Sequence, residues 1–426
     1  MSSNTKKIGF WSTTALVLGN MIGSGIFLLP AALAVYGGIS LVGWVVSSLA
    51  ALVIAKVFSE LSKRFPTTGG PYIFAKHGFG EFPAFLVAWG YWITIIATNA
   101  AIAVTFLSYL SVFFPILAES SFVAIIIGLA VIWLLTFINC RGAKEAAWVQ
   151  LITTILKLIP LILIAVVGLF FIDWSHFKPF NISQESDLAA IALTTTLTLF
   201  AFLGIESATI PADNIVQPHR TIPRATMLGT WIAIFAYLLG SMAVMGIIPP
   251  ADLVQSDAPF ADAAVVIWGT SASKWVALGV VISTFGALNG WIMMQGQIPL
   301  AAANDQLFPV FFSKLNAKGM PILGLLFSSL LVSVLMLMNY NKSLIKAFEF
   351  MILLATLTCL VPYLFAAGTH LLFALKSGKR WTWTWGILAF CFSMWAIIGS
   401  GAEIVFWGFL VLMAGIPLYV WMKRND

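Results

Sequence analysis

Charged residues are scarce in this sequence. Only 9% of the 426 residues are Asp, Glu, Lys or Arg, whereas 61% are apolar. A soluble globular domain carries roughly 25% charged residues. This shortage excludes a chain built of ordinary soluble domains, and it predicts a protein whose outer surface faces lipid.

Cysteines and potential metal ligands are also few. The three cysteines, Cys140, Cys359 and Cys391, lie in or beside apolar runs, and their spacing fits neither a disulfide framework nor a metal site. The four histidines show no metal-ligand spacing, and no nucleophile–base pair is apparent. We therefore expect no cofactor, no bound metal and no enzymatic activity.

Long apolar runs recur from one end of the chain to the other. Each is long enough to cross about 30 Å of hydrocarbon as a helix, whereas the strands of a membrane barrel would alternate over about 10 residues. We expect an all-α polytopic membrane protein that forms a single domain over residues 1–426. The twelve predicted spans lie at roughly 10–33, 39–58, 82–115, 121–139, 148–172, 189–213, 225–248, 275–303, 320–338, 347–375, 382–400 and 403–422.

The basic residues are distributed unevenly among the predicted loops. With a cytoplasmic N-terminus, only Lys178, Lys274, Lys342 and Lys346 face outward, and the other loop cations face the cytoplasm. This asymmetry follows the positive-inside rule and predicts a multi-pass protein of a bacterial inner membrane with both termini cytoplasmic. No basic face with interleaved aromatic residues lies outside the spans, so we expect the lipid bilayer and not nucleic acid as a partner.

Two of the spans are interrupted. The first contains "GNMIGSGIF" at residues 19–27, although each interior glycine weakens a helix by about 1 kcal/mol relative to alanine. The sixth contains "FAFLGIESATIPAD" at residues 200–213. Irregular backbone at membrane depth persists only where it is buried in protein or lines a wet cavity. Interruptions five spans apart suggest two five-helix halves related by an inverted repeat, with a binding site between them.

The two interruptions offer complementary partners to a ligand. A helix that restarts at about Gly25 presents free amides and the positive end of its dipole, which suit a carboxylate. A half-helix that ends near Ala201 to Leu203 presents free carbonyls, which suit an ammonium. Together they predict a site for an α-amino acid. For the glycine motif alone, close helix packing is the alternative.

Four motifs resemble those of a known transporter family. They are "GNMIGSGIFLLPA" in span one, "GIESA" in span six, "AANDQLFPVFF" after span eight and "VPYLF" in span ten. In order and spacing they resemble the amino acid–polyamine–organocation transporters, especially basic amino acid/polyamine antiporters such as the arginine/agmatine and lysine/cadaverine exchangers. The resemblance implies a LeuT-type fold with repeats at about 10–172 and 189–375, two further helices at about 382–422, alternating access and often a homodimer.

The resemblance also implies which residues form the site. By position, the residues expected to bind substrate are Ile22, Gly23, Ser24, Gly25, Ile26, Asn99, Phe200, Ala201, Leu203, Ile205, Trp291 and Ala355, and those expected to gate or couple transport are Tyr91, Lys157, Glu206 and Tyr363. The arginine exchanger has Trp at the position of Phe200 and Ser at those of Ala201 and Ala355. Fewer hydrogen-bond partners therefore remain here for a guanidinium.

Two of these residues are ionisable and lie inside predicted spans. At a rise of about 1.5 Å per residue, Lys157 lies about 15 Å deep in span five, where a charge is costly. In relatives that do not use sodium, a lysine at this point replaces the ion, so Lys157 predicts transport without sodium, either as a proton carrier or as a fixed cation. Glu206 is expected to neutralise a cationic substrate, to exchange a proton, or to bond the broken backbone.

Two modes of transport stay open from the sequence. One is exchange of an external amino acid for an internal amino acid or amine, which Glu206, Trp291 and the family resemblance favour. The other is a proton-coupled or facilitative permease for neutral amino acids, which Lys157, Phe200 and Ala355 favour. A channel, or a receptor that has lost transport, is a third and weaker alternative.

Overall fold

The structure is a computed structural model, and it describes residues 8–141, 159, 161–339, 341–376 and 380–424. Within these residues the regular secondary structure is helical, apart from one isolated parallel bridge between Ile8 and Ile215. The helices are α1 (Phe10–Met21), α2 (Gly25–Ala34), α3 (Ser40–Arg64), α4 (Pro71–Phe79), α5 (Glu81–Leu110), α6 (Ile116–Glu119), α7 (Ser121–Arg141), α8 (Leu161–Phe171), α9 (Asp187–Leu199), α10 (Pro218–Ile247), α11 (Pro250–Leu253), α12 (Pro259–Trp268), α13 (Thr270–Asn304), α14 (Ile322–Met338), α15 (Leu344–Lys376), α16 (Arg380–Gly399), α17 (Ala402–Met413) and α18 (Ile416–Lys423).

The helices confirm a polytopic membrane protein. Nine helical segments of the described chain are apolar and at least 18 residues long, and each coincides with one of the twelve predicted spans. The other three predicted spans, the fifth, ninth and eleventh, meet the shorter apolar helices α8, α14 and α16. Part of the fifth falls outside the described residues. The count of twelve spans therefore stays a prediction.

Both predicted interruptions are present. The first span consists of α1, which ends at Met21, and α2, which begins at Gly25. In the sixth span, α9 passes into a 3₁₀ turn over Phe200–Phe202, after which Leu203 is extended. Beyond this point the span continues as two short 3₁₀ turns, Ser207–Thr209 and Ala212–Asn214, so its second half is not the α-helix that an ordinary broken span would contain.

The broken first span and α5 form the centre of the molecule. In the most apolar stretch of each, 94% and 89% of the residues are buried inside the protein. The corresponding shares are 33% for α7 and 22% for the segment that comprises α17 and α18, which leaves these helices to face lipid. The interruption of the first span is thus surrounded by protein and not by hydrocarbon.

The first half of span six packs closely against α3. A Cβ atom placed on Gly43 would lie 2.8 Å from Cβ and 2.9 Å from the carbonyl carbon of Thr194 in α9. One turn further on, the Thr198 hydroxyl lies 2.9 Å from the Ser47 hydroxyl of α3. Small and hydroxyl-bearing residues at a helix contact allow this close approach inside a membrane. The contact fixes α9 just before its break.

Main-chain hydrogen bonds join the beginning of the first span to the end of the sixth. The Ile8 amide donates to the Asn214 carbonyl at 2.8 Å, and the Val216 amide donates to the Ile8 carbonyl at 3.0 Å. On the other side of the first break, the Tyr109 hydroxyl donates to the Phe27 carbonyl at 2.8 Å. The broken first span is therefore held on both sides of its interruption.

The close approach at Gly43 predicts a large loss of stability on substitution. In Gly43→Val the added carbons collide with Thr194, and overpacking of this kind costs about 1–3 kcal/mol. We expect a lower midpoint of thermal unfolding for the purified protein in detergent. The matched control is Gly9→Val, because a Cβ atom at Gly9 has no heavy atom within 4 Å. Equal midpoints for the two variants would contradict the packing of α3 on α9.

Candidate functional site

The two interruptions cross in direct contact. Gly204 has a φ of +108°. A Cβ atom on it would lie 3.1 Å from the carbonyl carbon of Asn20 and from the amide nitrogen of Met21. Glycine adopts this backbone conformation readily, and its lack of a side chain lets the end of α1 approach. The crossing of the broken spans thus depends on one residue without a side chain.

A small cavity lies at this crossing. Five segments contribute to it: α1, the first break with the start of α2, α5, the span-six break and α13. The lining residues are all buried, and they are Asn20, Met21, Gly23, Ser24, Gly25, Thr98, Ile102, Phe200, Leu203 and Trp291.

The first break leaves three backbone amides without main-chain partners. Within the described residues, the amides of Ser24, Gly25 and Ile26 donate no main-chain hydrogen bond, whereas those of Gly23 and Phe27 on either side do. The three amides lie at the N-terminus of α2, where the helix dipole is positive. Free N–H groups at a helix N-terminus bind carboxylates and other anions. This agrees with the carboxylate position predicted from the glycine motif.

Three polar side-chain atoms beside the cavity also lack partners. Asn20 Oδ1, Ser24 Oγ and Thr98 Oγ1 are buried, and none has a hydrogen-bond partner in the part of the chain that the structure describes. Leaving a polar group buried and unpaired costs about 1–3 kcal/mol, and such groups are rare in native proteins. Three of them around one cavity indicate a polar occupant.

Two aromatic residues border the cavity. Trp291 donates its Nε1–H to the Asn20 carbonyl at 3.2 Å, which holds the end of α1 against α13. Phe200 lies beside the start of α2: a Cβ atom on Gly25 would be 3.3 Å from the Phe200 ring and 3.1 Å from Ala201. The first and sixth spans therefore touch again at Gly25, where no space is left for a side chain.

Glu206 binds two tyrosines at once. The Tyr91 hydroxyl of α5 donates to Oε1 at 2.6 Å, and the Tyr363 hydroxyl of α15 donates to Oε2 at 2.6 Å. All three side chains are buried. Hydrogen bonds to carboxylate oxygens are among the stronger ones in proteins, so this cluster ties span six to α5 and α15 just beyond the break.

The structure brings together part of the predicted site. Six predicted substrate residues line the cavity, namely Gly23, Ser24, Gly25, Phe200, Leu203 and Trp291. The other six lie outside the lining although they are buried, namely Ile22, Ile26, Asn99, Ala201, Ile205 and Ala355. Tyr91, Glu206 and Tyr363 form one cluster. Lys157 lies outside the described residues. The roles assigned to these residues stay predictions.

Three polar residues of this region were not predicted from the sequence. Asn20 and Thr98 line the cavity with unpaired oxygens. Tyr237 of α10 donates its hydroxyl to the Ala201 carbonyl at 2.9 Å, so one carbonyl that was expected to be free already has a partner. The only signal for Asn20 was its place in the glycine motif, and nothing in the local pattern marks Thr98 or Tyr237.

The model of the amino acid permease family matches residues 8–421. The chain belongs to this family. This permease is 37% identical to the cadaverine/lysine antiporter of Escherichia coli K12, over 79% of the permease and 76% of that protein. It is 31% identical to the putrescine transporter of Haemophilus influenzae over 98% of both chains. It is 32% identical to the arginine/ornithine antiporter of Pseudomonas aeruginosa, over 88% and 80% of the two chains. The resemblance of the permease to the basic amino acid and polyamine transporters is confirmed.

The Glu206 cluster predicts a loss of stability when one tyrosine loses its hydroxyl. In Tyr363→Phe, Glu206 Oε2 stays buried without this donor, which costs about 1–3 kcal/mol. We expect a lower unfolding midpoint in detergent. The matched control is Tyr419→Phe, since the Tyr419 hydroxyl has no hydrogen-bond partner among the described residues. If the two variants have the same unfolding midpoint, the cluster contributes nothing to stability.

Proposed function

We propose that this permease exchanges an amino acid for another amino acid or an amine by alternating access, without sodium. The observation that carries the proposal is the cavity at the crossing of the two broken spans, with free amides and unpaired oxygens around it. The names of two relatives, antiporters for cadaverine and lysine and for arginine and ornithine, support exchange as the mode of transport.

The substrate carboxylate binds at the start of α2. Its oxygens accept hydrogen bonds from the amides of Ser24, Gly25 and Ile26 and from the Ser24 hydroxyl, and Ile22 and Gly23 shape the turn that positions them. No side chain needs to supply a positive charge, because the helix dipole and the amides together favour the anion.

The substrate amino group binds at the break of span six. Phe200, Ala201, Leu203 and Ile205 surround it, and carbonyls at the end of the 3₁₀ turn together with Asn20 Oδ1 accept its hydrogens. The substrate side chain extends past Trp291, with Asn99 and Ala355 as further contacts. Hydrogen-bond acceptors on one side of the cavity bind the amino group and amides on the other side bind the carboxylate, so together they fix the orientation of an α-amino acid.

Access to the site alternates through the elements that cover it. The Phe200 ring lies on one side of the cavity and makes an edge contact with Phe348 of α15, with 6.0 Å between the ring centroids. On the other side, Tyr91 and Tyr363 are joined through Glu206. We assign these two clusters to opposite gates. From the family resemblance, we keep for Lys157 the role of replacing a sodium ion.

The wider architecture is proposed from the same pattern. Broken spans one and six, five spans apart, support a LeuT-type fold of two inverted five-helix repeats followed by two helices. The distribution of Lys and Arg supports cytoplasmic termini in a bacterial inner membrane. A homodimer is proposed from the family resemblance alone.

A permease for neutral amino acids is the second candidate, and one observation favours it. None of the described residues that line the cavity is acidic, and both oxygens of Glu206 are already engaged by tyrosines. A cationic side chain would therefore meet neutral acceptors only. Facilitated or proton-coupled uptake of a neutral amino acid fits the same cavity.

Exchange predicts uptake that requires a counter-substrate. Purified protein in liposomes loaded with unlabelled lysine or cadaverine is expected to take up labelled lysine, and empty liposomes are expected to take up little. Replacing sodium by potassium in both compartments should leave the rate unchanged. Uptake that persists in empty liposomes and follows a proton gradient would establish the second candidate, and a strict need for sodium would refute the role given to Lys157.

The carboxylate position predicts that Gly25 tolerates no side chain. In Gly25→Val the side chain displaces Ala201 and Phe200 and fills the space in front of the free amides. We expect substrate binding, measured by ligand-induced thermal stabilisation, to fall at least about tenfold. Gly9→Val serves as the control. Near-normal affinity of a folded Gly25→Val protein would disprove the carboxylate site.

A further inference from the structure

A continuous chain of polar side chains runs away from the cavity through the membrane interior. Asn99 of α5, Gln295 of α13, Ser329 of α14 and Thr136 of α7 follow one another in hydrogen-bond contact, and all four are fully buried. Side chains of this kind hydrogen-bond between membrane helices and hold them together. The proposed transport mechanism gives no task to Gln295.

The direction of each hydrogen bond in this chain is determined by a backbone carbonyl. The Gln295 amide nitrogen lies 3.3 Å from the Leu325 carbonyl oxygen and 2.6 Å from the Ser329 hydroxyl oxygen. A carbonyl oxygen can only accept, so the NH₂ group of Gln295 faces α14 and its Oε1 faces the other way. At the far end the Thr136 hydroxyl donates to the Ile132 carbonyl at 2.7 Å, so Ser329 is the donor to Thr136. Every hydrogen bond from Asn99 to Thr136 therefore has its donor on the Asn99 side and its acceptor on the Thr136 side.

This direction fixes the amide of Asn99. Its neighbour is Gln295 Oε1, an acceptor, at 2.8 Å, so Asn99 must present its NH₂ group there. Asn99 Oδ1 consequently points elsewhere, and it is a buried acceptor without a hydrogen-bond partner in the described chain. A buried acceptor in this position either receives a hydrogen bond from a donor outside the protein or stays unpaired, which destabilises the folded protein.

Asn99, which carries the unpaired oxygen, and its partner Gln295 lie next to the cavity. Ile102, three residues after Asn99 in α5, lines the cavity, and so does Trp291, four residues before Gln295 in α13. Residues three or four apart lie on the same face of a helix. Asn99 and Gln295 therefore lie about one turn from the cavity wall, on the faces of α5 and α13 that border it.

We propose that Gln295 is a positioning residue that orients the Asn99 amide so that an oxygen, and not an NH₂ group, serves the side chain of the substrate. The inference rests on the proposed function, and it specifies the substrate class as amino acids or amines whose side chain ends in an N–H donor. Without Gln295, the Asn99 amide can turn by half a rotation and present a donor, which repels an ammonium.

The test compares two ligands that differ only in the terminal group. Lysine and norleucine have the same carbon chain, but norleucine lacks the side-chain ammonium. The ratio of their affinities, measured by thermal stabilisation of the purified full-length protein, reports recognition of the ammonium and not binding of the common α-amino acid group. A hydrogen bond to a charged group corresponds to about a tenfold to hundredfold change in affinity.

Gln295→Leu is expected to lower the lysine-to-norleucine affinity ratio about tenfold or more, and Gln295→Met, which is unbranched, should do the same if the leucine variant is poorly folded. Asn99→Asp should not lower the ratio, because a carboxylate presents an acceptor in either orientation and its negative charge favours the ammonium. In the Asn99→Asp background, Gln295→Leu should have little further effect. Thr136→Val is the control, since it removes a member of the chain that does not touch the Gln295 amide.

The outcomes separate this inference from the proposed function. A protein that binds neither lysine nor norleucine refutes the proposed function and this inference with it. A wild-type protein that binds them, together with an unchanged ratio in Gln295→Leu or Gln295→Met, overturns the positioning role alone. An equal loss of the ratio in the wild-type and Asn99→Asp backgrounds also overturns it, because the effect would then not pass through the amide orientation.

Discussion

The site depends on a constraint that lipid imposes on the backbone. Peptide groups that leave a helix inside a membrane have no water to bond, so they need other protein groups or a ligand. Here the two interrupted spans cross each other at Gly204, and α5, α13 and α15 surround the crossing. Most of the released groups find partners: Tyr237 bonds the Ala201 carbonyl, and Trp291 bonds the Asn20 carbonyl. The amides at the start of α2 remain without main-chain partners in the described chain, and the substrate carboxylate of the proposed function would supply them.

The interruptions were predictable because helix-weakening residues cluster at both of them. The glycine motif at residues 19–27 and the pair Gly204 and Pro211 gave both breaks in the right places. Glu206 was evident as an acidic residue within a span. The family resemblance named Tyr91 and Tyr363 only as gate residues, and their hydrogen bonds to Glu206, across more than 100 residues on either side, were not predicted. Local sequence carries no information about contacts at such separations.

The polar lining was not predictable for a different physical reason. An amphipathic helix reveals its inner face because the outer face is polar, but α5 is buried all round and bordered by apolar residues, so its period says nothing about which side Thr98 faces. The second half of span six also differs from a simple half-helix. Ser207 and Thr209 bond the carbonyls of Gly204 and Glu206, each three residues earlier, at 2.6 Å. Such local hydrogen bonds compete with the α-helical pattern and favour the 3₁₀ turns that are observed.

The bridge between Ile8 and residues 214–216 has a mechanical consequence. It consists of two main-chain hydrogen bonds, and it closes the chain from residue 8 to residue 216 into a loop that contains both broken spans. Because no side chain takes part, most substitutions at Ile8 leave the closure intact. A displacement of the beginning of α1 is passed through these hydrogen bonds to the segment that follows span six. A rigid load attached ahead of Ile8 would therefore act on both interrupted spans at once.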